Sequence, residues 1–153
     1  MAQEFEMADI GHMSYYLGIE VKQNGNDNFI FQEVYAKKVL EMFKMQNCNP
    51  VSTPIGRGTK MSKYDKSAKV DPSIYRQFVG SLRYLTCTRP DILYGVGLVS
   101  RYMEAPTLTH MEIARRILRY IKGTIDYDLA YSFSTNFKFH GYSDSDWTSN
   151  IND

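Results

Sequence analysis

Asp71-Pro-Ser-Ile-Tyr-Arg-Gln-Phe-Val-Gly-Ser-Leu-Arg-Tyr-Leu85 is the stretch on which the fold turns. Asp71 is an N-cap acceptor and Pro72 carries the φ of a first helical residue. Tyr75, Phe78, Val79, Leu82 and Leu85 then recur every three or four positions, the spacing of one apolar helix face. Downstream, Pro90 opens a further helix carrying Ile92, Val96, Val99 and Met103. Gly95 and Gly97 weaken it by roughly 1 kcal/mol each and point to close contact with a neighbour. Another helix begins after Pro106-Thr107 and stops at Gly123, with Leu108, Met111, Ala114, Leu118 and Ile121 on its apolar arc.

Towards the N-terminus the period changes. Ser14-Tyr-Tyr-Leu-Gly-Ile-Glu-Val-Lys22 and Phe29-Ile-Phe31 flank a turn-forming run, Asn24-Gly-Asn-Asp-Asn28, which reads as a β-hairpin. Val34 to Gln46 follows as a short amphipathic helix with Tyr35, Val39, Met42 and Phe43 on one face. Residues 49–70, with Pro50, Pro54, Gly56 and Gly58, show no apolar period and resemble an exposed connector. Past Tyr127 an alternation returns at Leu129, Tyr131, Phe133, Phe137 and Phe139: two strands without a visible partner, as in an unfinished sheet. The expected fold is therefore α+β: an N-terminal β-hairpin, a central helical bundle and a C-terminal strand pair. Its parts are 1–48, a linker at 49–70, the helices at 71–124, and 125–153.

The 153 residues suffice for one domain or slightly more, and a 43% hydrophobic content can fill a modest core. With 18 basic and 17 acidic side chains the net charge is +1, so affinity for a polyanion must come from local clustering. Twelve Tyr and eight Phe suit a filled core or a stacking surface. Cys48 and Cys87 lack metal-ligand spacing, as in a chain kept reduced. The N-terminus has no signal-peptide pattern, and no stretch has the length of a membrane span.

Three groups of side chains could carry chemistry. Arg115, Arg119 and Lys122 share the face opposite the apolar arc of the last helix, with Arg116 beside them and only Glu112 interrupting. The strip suits phosphate contact or, equally, an ordinary solvated helix face. Arg76, Gly80 and Tyr84 recur every four residues beside the buried stripe, with Arg83 adjacent. A glycine there admits a ligand backbone, although helix-to-helix packing is its commoner cause. Asp126 with Asp128 and Asp144 with Asp146 could each share a hard cation if placed in strands, yet two carboxylates are too few for a two-metal site. His12, His110 and His140 stand singly and receive no catalytic role.

The motif order resembles the Pol polyprotein of copia-type retrotransposons. The matching strings are Met13-Ser-Tyr-Tyr-Leu-Gly-Ile-Glu-Val21, Pro50-Val-Ser-Thr-Pro54, Tyr75-Arg-Gln-Phe-Val-Gly-Ser-Leu-Arg-Tyr-Leu-Thr86, Thr88-Arg-Pro-Asp-Ile92, Arg116-Ile-Leu-Arg-Tyr-Ile-Lys-Gly-Thr124 and Gly141-Tyr-Ser-Asp-Ser-Asp-Trp147. The resemblance implies a segment running from the late palm of a reverse transcriptase, through its thumb and connection, to the first strand of ribonuclease H. Leu17, Gly18, Ile19 and Glu20 would be primer-grip-like. Arg76, Gly80, Arg83 and Tyr84 would track the minor groove of a template-primer duplex. Asp144 would be the first metal-binding aspartate of an incomplete ribonuclease H-like sheet. Mg²⁺ is implied for the parent RNA-directed DNA polymerase, and no cofactor for this segment alone.

Implied partners are an RNA/DNA template-primer duplex and the remaining Pol segments, with no membrane, in the cytoplasm within a virus-like particle or in the nucleus. The family's Tyr-x-Asp-Asp motif and the further ribonuclease H carboxylates are absent from these residues, so both catalytic centres are expected to be incomplete. The expected role is gripping nucleic acid without catalysis. Two other expectations are a decayed transposon fragment without function, and a module that docks on Pol or capsid partners through a strand edge.

Overall fold

The computed structural model describes residues 11–25, 27–132 and 141. In chain order the elements are β1 (Tyr15–Tyr16), β2 (Ile19–Asn24), β3 (Asp27–Phe31), α1 (Glu33–Met42), α2 (Pro72–Leu85), α3 (Leu93–Ser100), α4 (Leu108–Gly123) and β4 (Leu129–Ser132). Among the described residues the fold is thus mixed, four helices beside a four-stranded antiparallel sheet. α2 starts as its sequence requires, with the Asp71 carboxylate accepting from the Ser73 N–H at 2.7 Å. Pro90–Ile92 forms a single 3-10 turn, and α3 proper begins only at Leu93.

The core belongs to the helices. Tyr75, Phe78, Val79, Leu82 and Leu85 of α2 meet Ala36, Val39 and Leu40 of α1, Val96 and Val99 of α3, and Met111, Ala114, Ile117, Leu118 and Ile121 of α4. Each large apolar side chain so enclosed contributes about 1.5–3 kcal/mol. The Tyr75 hydroxyl donates to the Val99 carbonyl at 2.9 Å, which ties α2 to α3 and satisfies a polar tip in the interior. Two residues expected on buried faces, Met42 and Leu108, are instead exposed, because each lies at the end of its helix, where the stripe overruns the neighbour.

No described strand residue is buried. The sheet runs β1-β2-β3-β4, with Tyr16 opposite Ile19 and Val21 opposite Ile30. Leu17 and Gly18, at φ 47° and 81°, form the primed two-residue turn that matches strand twist. Leu129–Ser132 does not stand apart as the start of a separate sheet. It pairs with β3, placing Leu129 opposite Ile30 and Tyr131 opposite Asn28. Otherwise β3 would present an open row of backbone donors and acceptors, and α4 returns the chain to that edge. Phe137 and Phe139, the rest of the expected strand pair, lie outside the described residues.

Residues 49–70 also differ from a solvated connector. They run antiparallel along α4, from its C-terminal end to its N-terminal end. Arg119 Nε donates to the Asn49 carbonyl (2.8 Å) and Arg116 to Thr53 Oγ1 (3.0 Å). Thr107 Oγ1 donates to Asp65 (2.6 Å), the Leu108 N–H to the Ala68 carbonyl (2.8 Å), and the Val70 N–H to the Pro106 carbonyl (2.9 Å). A Pro- and Gly-interrupted stretch has no ladder of its own, so its polar groups pair with those left open at the start of α4. Met61 is buried among them.

Candidate nucleic-acid interface

On α2, Arg76, Gly80 and Arg83 are exposed and Tyr84 is half-buried. A Cβ added to Gly80 would meet nothing within 4 Å, so no described neighbour requires glycine there. This separates Gly80 from Gly95, whose added Cβ would lie 3.0 Å from Ile55 Cγ1 and 3.3 Å from Ile117 Cδ1. Gly95 is a packing glycine.

The Tyr84 hydroxyl donates to the Leu17 carbonyl at the β1–β2 turn. A Cβ on Gly18 would approach the Tyr84 oxygen to 2.7 Å, and its φ of 81° disfavours any side chain. The Tyr84 ring stands edge-on to Tyr35, with centroids 4.7 Å apart. The structure therefore joins the hairpin tip to the α2 stripe, two features that lie far apart in the sequence. Glu20, the last of the four hairpin residues singled out, is engaged internally, since its Oε1 accepts from the Val34 N–H (2.9 Å) in the first turn of α1. Leu17 is 72% exposed, and Ile19 is half-buried.

The α4 strip lies elsewhere. Arg115 is exposed, while Arg119 and Lys122 are half-buried, with Arg119 holding Asn49 as above. No hydrogen bond among the described residues joins this strip to the α2 stripe. Asp126 lies in a turn and Asp128 just before β4, both exposed, so neither has the strand placement a shared cation would need. Asp144 and Asp146 lie outside the described residues. Among the described residues no three His, Cys, Asp or Glu are placed to hold a metal ion, and no helix is long and apolar enough to cross a membrane.

Two buried polar centres escaped sequence reading. Arg89 donates to the Thr124 carbonyl (2.8 Å) and Thr124 Oγ1 (2.6 Å), pairs with Asp91 (2.7 Å) and lies over the rings of Tyr120 and Tyr127. Burial pushes the Asp91 carboxyl up, but hydrogen bonds from Arg89 and Tyr120 outweigh it and hold the group below its ordinary value. The Arg-Pro-Asp spacing was the available signal. His110 is fully buried, stacked on Tyr102 with centroids 4.1 Å apart, and its Nδ1 accepts from the Thr107 N–H (3.1 Å). Burial lowers its pKa, keeping the ring neutral as that acceptor role requires. A histidine three residues after a helix-capping threonine was a legible cue.

Residues 1–57 match the family model described as reverse transcriptase (RNA-dependent DNA polymerase). The chain is 37% identical to the retrovirus-related Pol polyprotein from transposon RE1 of Arabidopsis thaliana, over 100% of this chain and 10% of that protein. It is 36% identical to the corresponding polyprotein from transposon TNT 1-94 of Nicotiana tabacum, over 99% of this chain and 12% of that one. An uncharacterized mitochondrial protein of Arabidopsis thaliana is 39% identical over 96% of this chain and 61% of its own length. The chain thus spans about a tenth of the polyproteins it matches. No solved structure matches it.

Proposed function

The chain belongs to the Pol family of copia-type retrotransposons, and on that premise we propose that it holds a template-primer duplex for a reverse transcriptase, supplying grip and not bond chemistry. The observation that carries this reading is Gly80. A glycine inside a helix costs about 1 kcal/mol relative to alanine, and among the described residues no neighbour explains it. It leaves a bare patch of backbone flanked by Arg76, Arg83 and Tyr84, where a sugar-phosphate backbone can approach closely while the guanidinium groups meet its phosphates. The Tyr84–Leu17 hydrogen bond supports the reading further, because it makes the hairpin tip and the helix one surface.

Gripping of this kind discriminates little between sequences. It depends steeply on salt, since phosphate neutralisation releases counterions. These residues contain no Tyr-x-Asp-Asp and no adjacent aspartate pair, so polymerisation belongs in this reading to the larger Pol protein, which brings the metal-binding carboxylates and their Mg²⁺. The direct test is fluorescence anisotropy with a short RNA–DNA hybrid. Gly80→Leu, a good helix former, should raise the thermal midpoint and weaken binding together. A variant that is stabilised and binds as well as the parent chain would remove α2 from the interface.

A further inference from the structure

The connector carries a charge pattern that the α2 surface does not use. Arg57, Lys60, Lys63, Lys66 and Lys69 recur every third residue, and all five are exposed. Asp65 is the only acidic residue among positions 57–69, and it turns inward, accepting from Ser67 Oγ at 2.5 Å and Thr107 Oγ1 at 2.6 Å. These positions are therefore +4 in a chain whose total is +1, leaving thirteen basic against sixteen acidic side chains elsewhere. No ion pair with a described residue neutralises any of the five.

From Lys60 onward, an anchor follows each cation. Met61 is buried, Asp65 and Ala68 are bonded to the start of α4, and Val70 is bonded to Pro106. The connector is therefore fixed, with its cations held outward at most about 10 Å apart along the chain. It lies along α4, and just before its first cation Arg116 donates to Thr53 Oγ1 (3.0 Å), which continues it into Arg115, Arg119 and Lys122. Tyr64, 83% exposed, stands among the lysines as an aromatic face.

We infer that the connector and α4 form a second nucleic-acid track, in which the five connector cations follow a sugar-phosphate backbone and Tyr64 stacks on an unpaired base. In naming nucleic acid as the occupant this rests on the grip reading above. The contact is a different one, because Lys69 and the hairpin lie at opposite ends of α2, a helix of about 20 Å. Regular cations with an interleaved aromatic ring suit a polynucleotide better than a lipid surface, since no exposed apolar cluster accompanies them on the connector.

The test uses the whole chain and an RNA–DNA hybrid with a single-stranded overhang, measured by anisotropy across a salt series. Replacing all five cations by Gln should weaken binding by about tenfold or more and lower the salt slope by about 3.5–4.5, with the far-UV spectrum retained. Should that variant fold poorly, Lys60→Gln with Lys63→Gln should lower the slope by about 2. Tyr64→Ala should weaken binding to the overhang and spare blunt duplex. An unchanged slope overturns the track, as does binding to phosphatidylserine vesicles without binding to nucleic acid. The two readings separate cleanly: loss in Arg76→Gln/Arg83→Gln alone leaves the grip and removes the track, and loss in the connector variants alone does the reverse.

Discussion

Tyr84 reaches across 67 residues to donate its hydroxyl to the Leu17 carbonyl, and so holds a leucine in the left-handed region that its side chain disfavours. Tyr84→Phe should cost about 0.5–1.5 kcal/mol in urea unfolding and speed amide exchange in β1 and β2. Gly18→Ala should cost more, since it meets both the positive φ and the Tyr84 oxygen. In the double variant part of that penalty should disappear with the oxygen, and strict additivity would show that the contact carries no energy.

Arg89 holds together three segments of the helical body, the turn before α3, the end of α4 and the chain beyond it. Its removal takes the ion-pair partner from the exposed Asp91, opens two bonds to Thr124 and uncovers two aromatic rings. Arg89→Ala should destabilise by about 2–3 kcal/mol, mainly through the buried Thr124 acceptors left open, and Arg89→Lys should recover little of it, because a point charge cannot serve four acceptor atoms in one plane. Equilibrium denaturation of the three proteins decides the matter.

The two glycines of α3 should answer differently to one methyl group. Gly97→Ala, with open space around it, should stabilise by about 0.5–1 kcal/mol. Gly95→Ala should gain nothing or lose, because Ile55 and Ile117 stand in the way. Equal thermal shifts in the two variants would contradict the packing described.

Acid should loosen the start of α4. The pKa of His110 is lower in the folded chain than its ordinary 6.5, so its contribution is complete above that value and declines as pH falls below it, when the unfolded chain takes up the proton more readily. Hydrogen bonds from Ser67 and Thr107 hold Asp65 far below its ordinary 3.8, so a second loss follows under stronger acid. His110→Gln should flatten the first of these slopes in urea titrations at successive pH values and leave the second.

How much of the molecule was legible in its sequence depends on the range of the interaction. α2 and α4 could be read from Phe78, Leu82, Ala114 and Leu118 because helix period and caps are local. The pairing of Ile30 with Leu129 could not, since a strand of four residues carries no record of a partner about a hundred positions away. Gly80 and Gly95 look alike as letters, and only the space around each separates a bare surface from a packed one. The α2 and hairpin candidates were both visible in sequence, but not that Tyr84 joins them. Of the connector's anchors the sequence displayed the residues and not the contacts, because polar side chains facing helix ends have no period.

The β3–β4 pairing also sets an order of events. Each helix and the β1–β3 meander closes through near neighbours, whereas β4 pairs with β3 only where the chain returns past Thr124 after the helices. Closing so long a loop costs more entropy than forming a hairpin, so β4 should pair last in refolding, which pulsed amide exchange would read as late protection of β4. A chain cut after Thr124 would keep its helices and leave β3 as a standing invitation to the strand of another molecule.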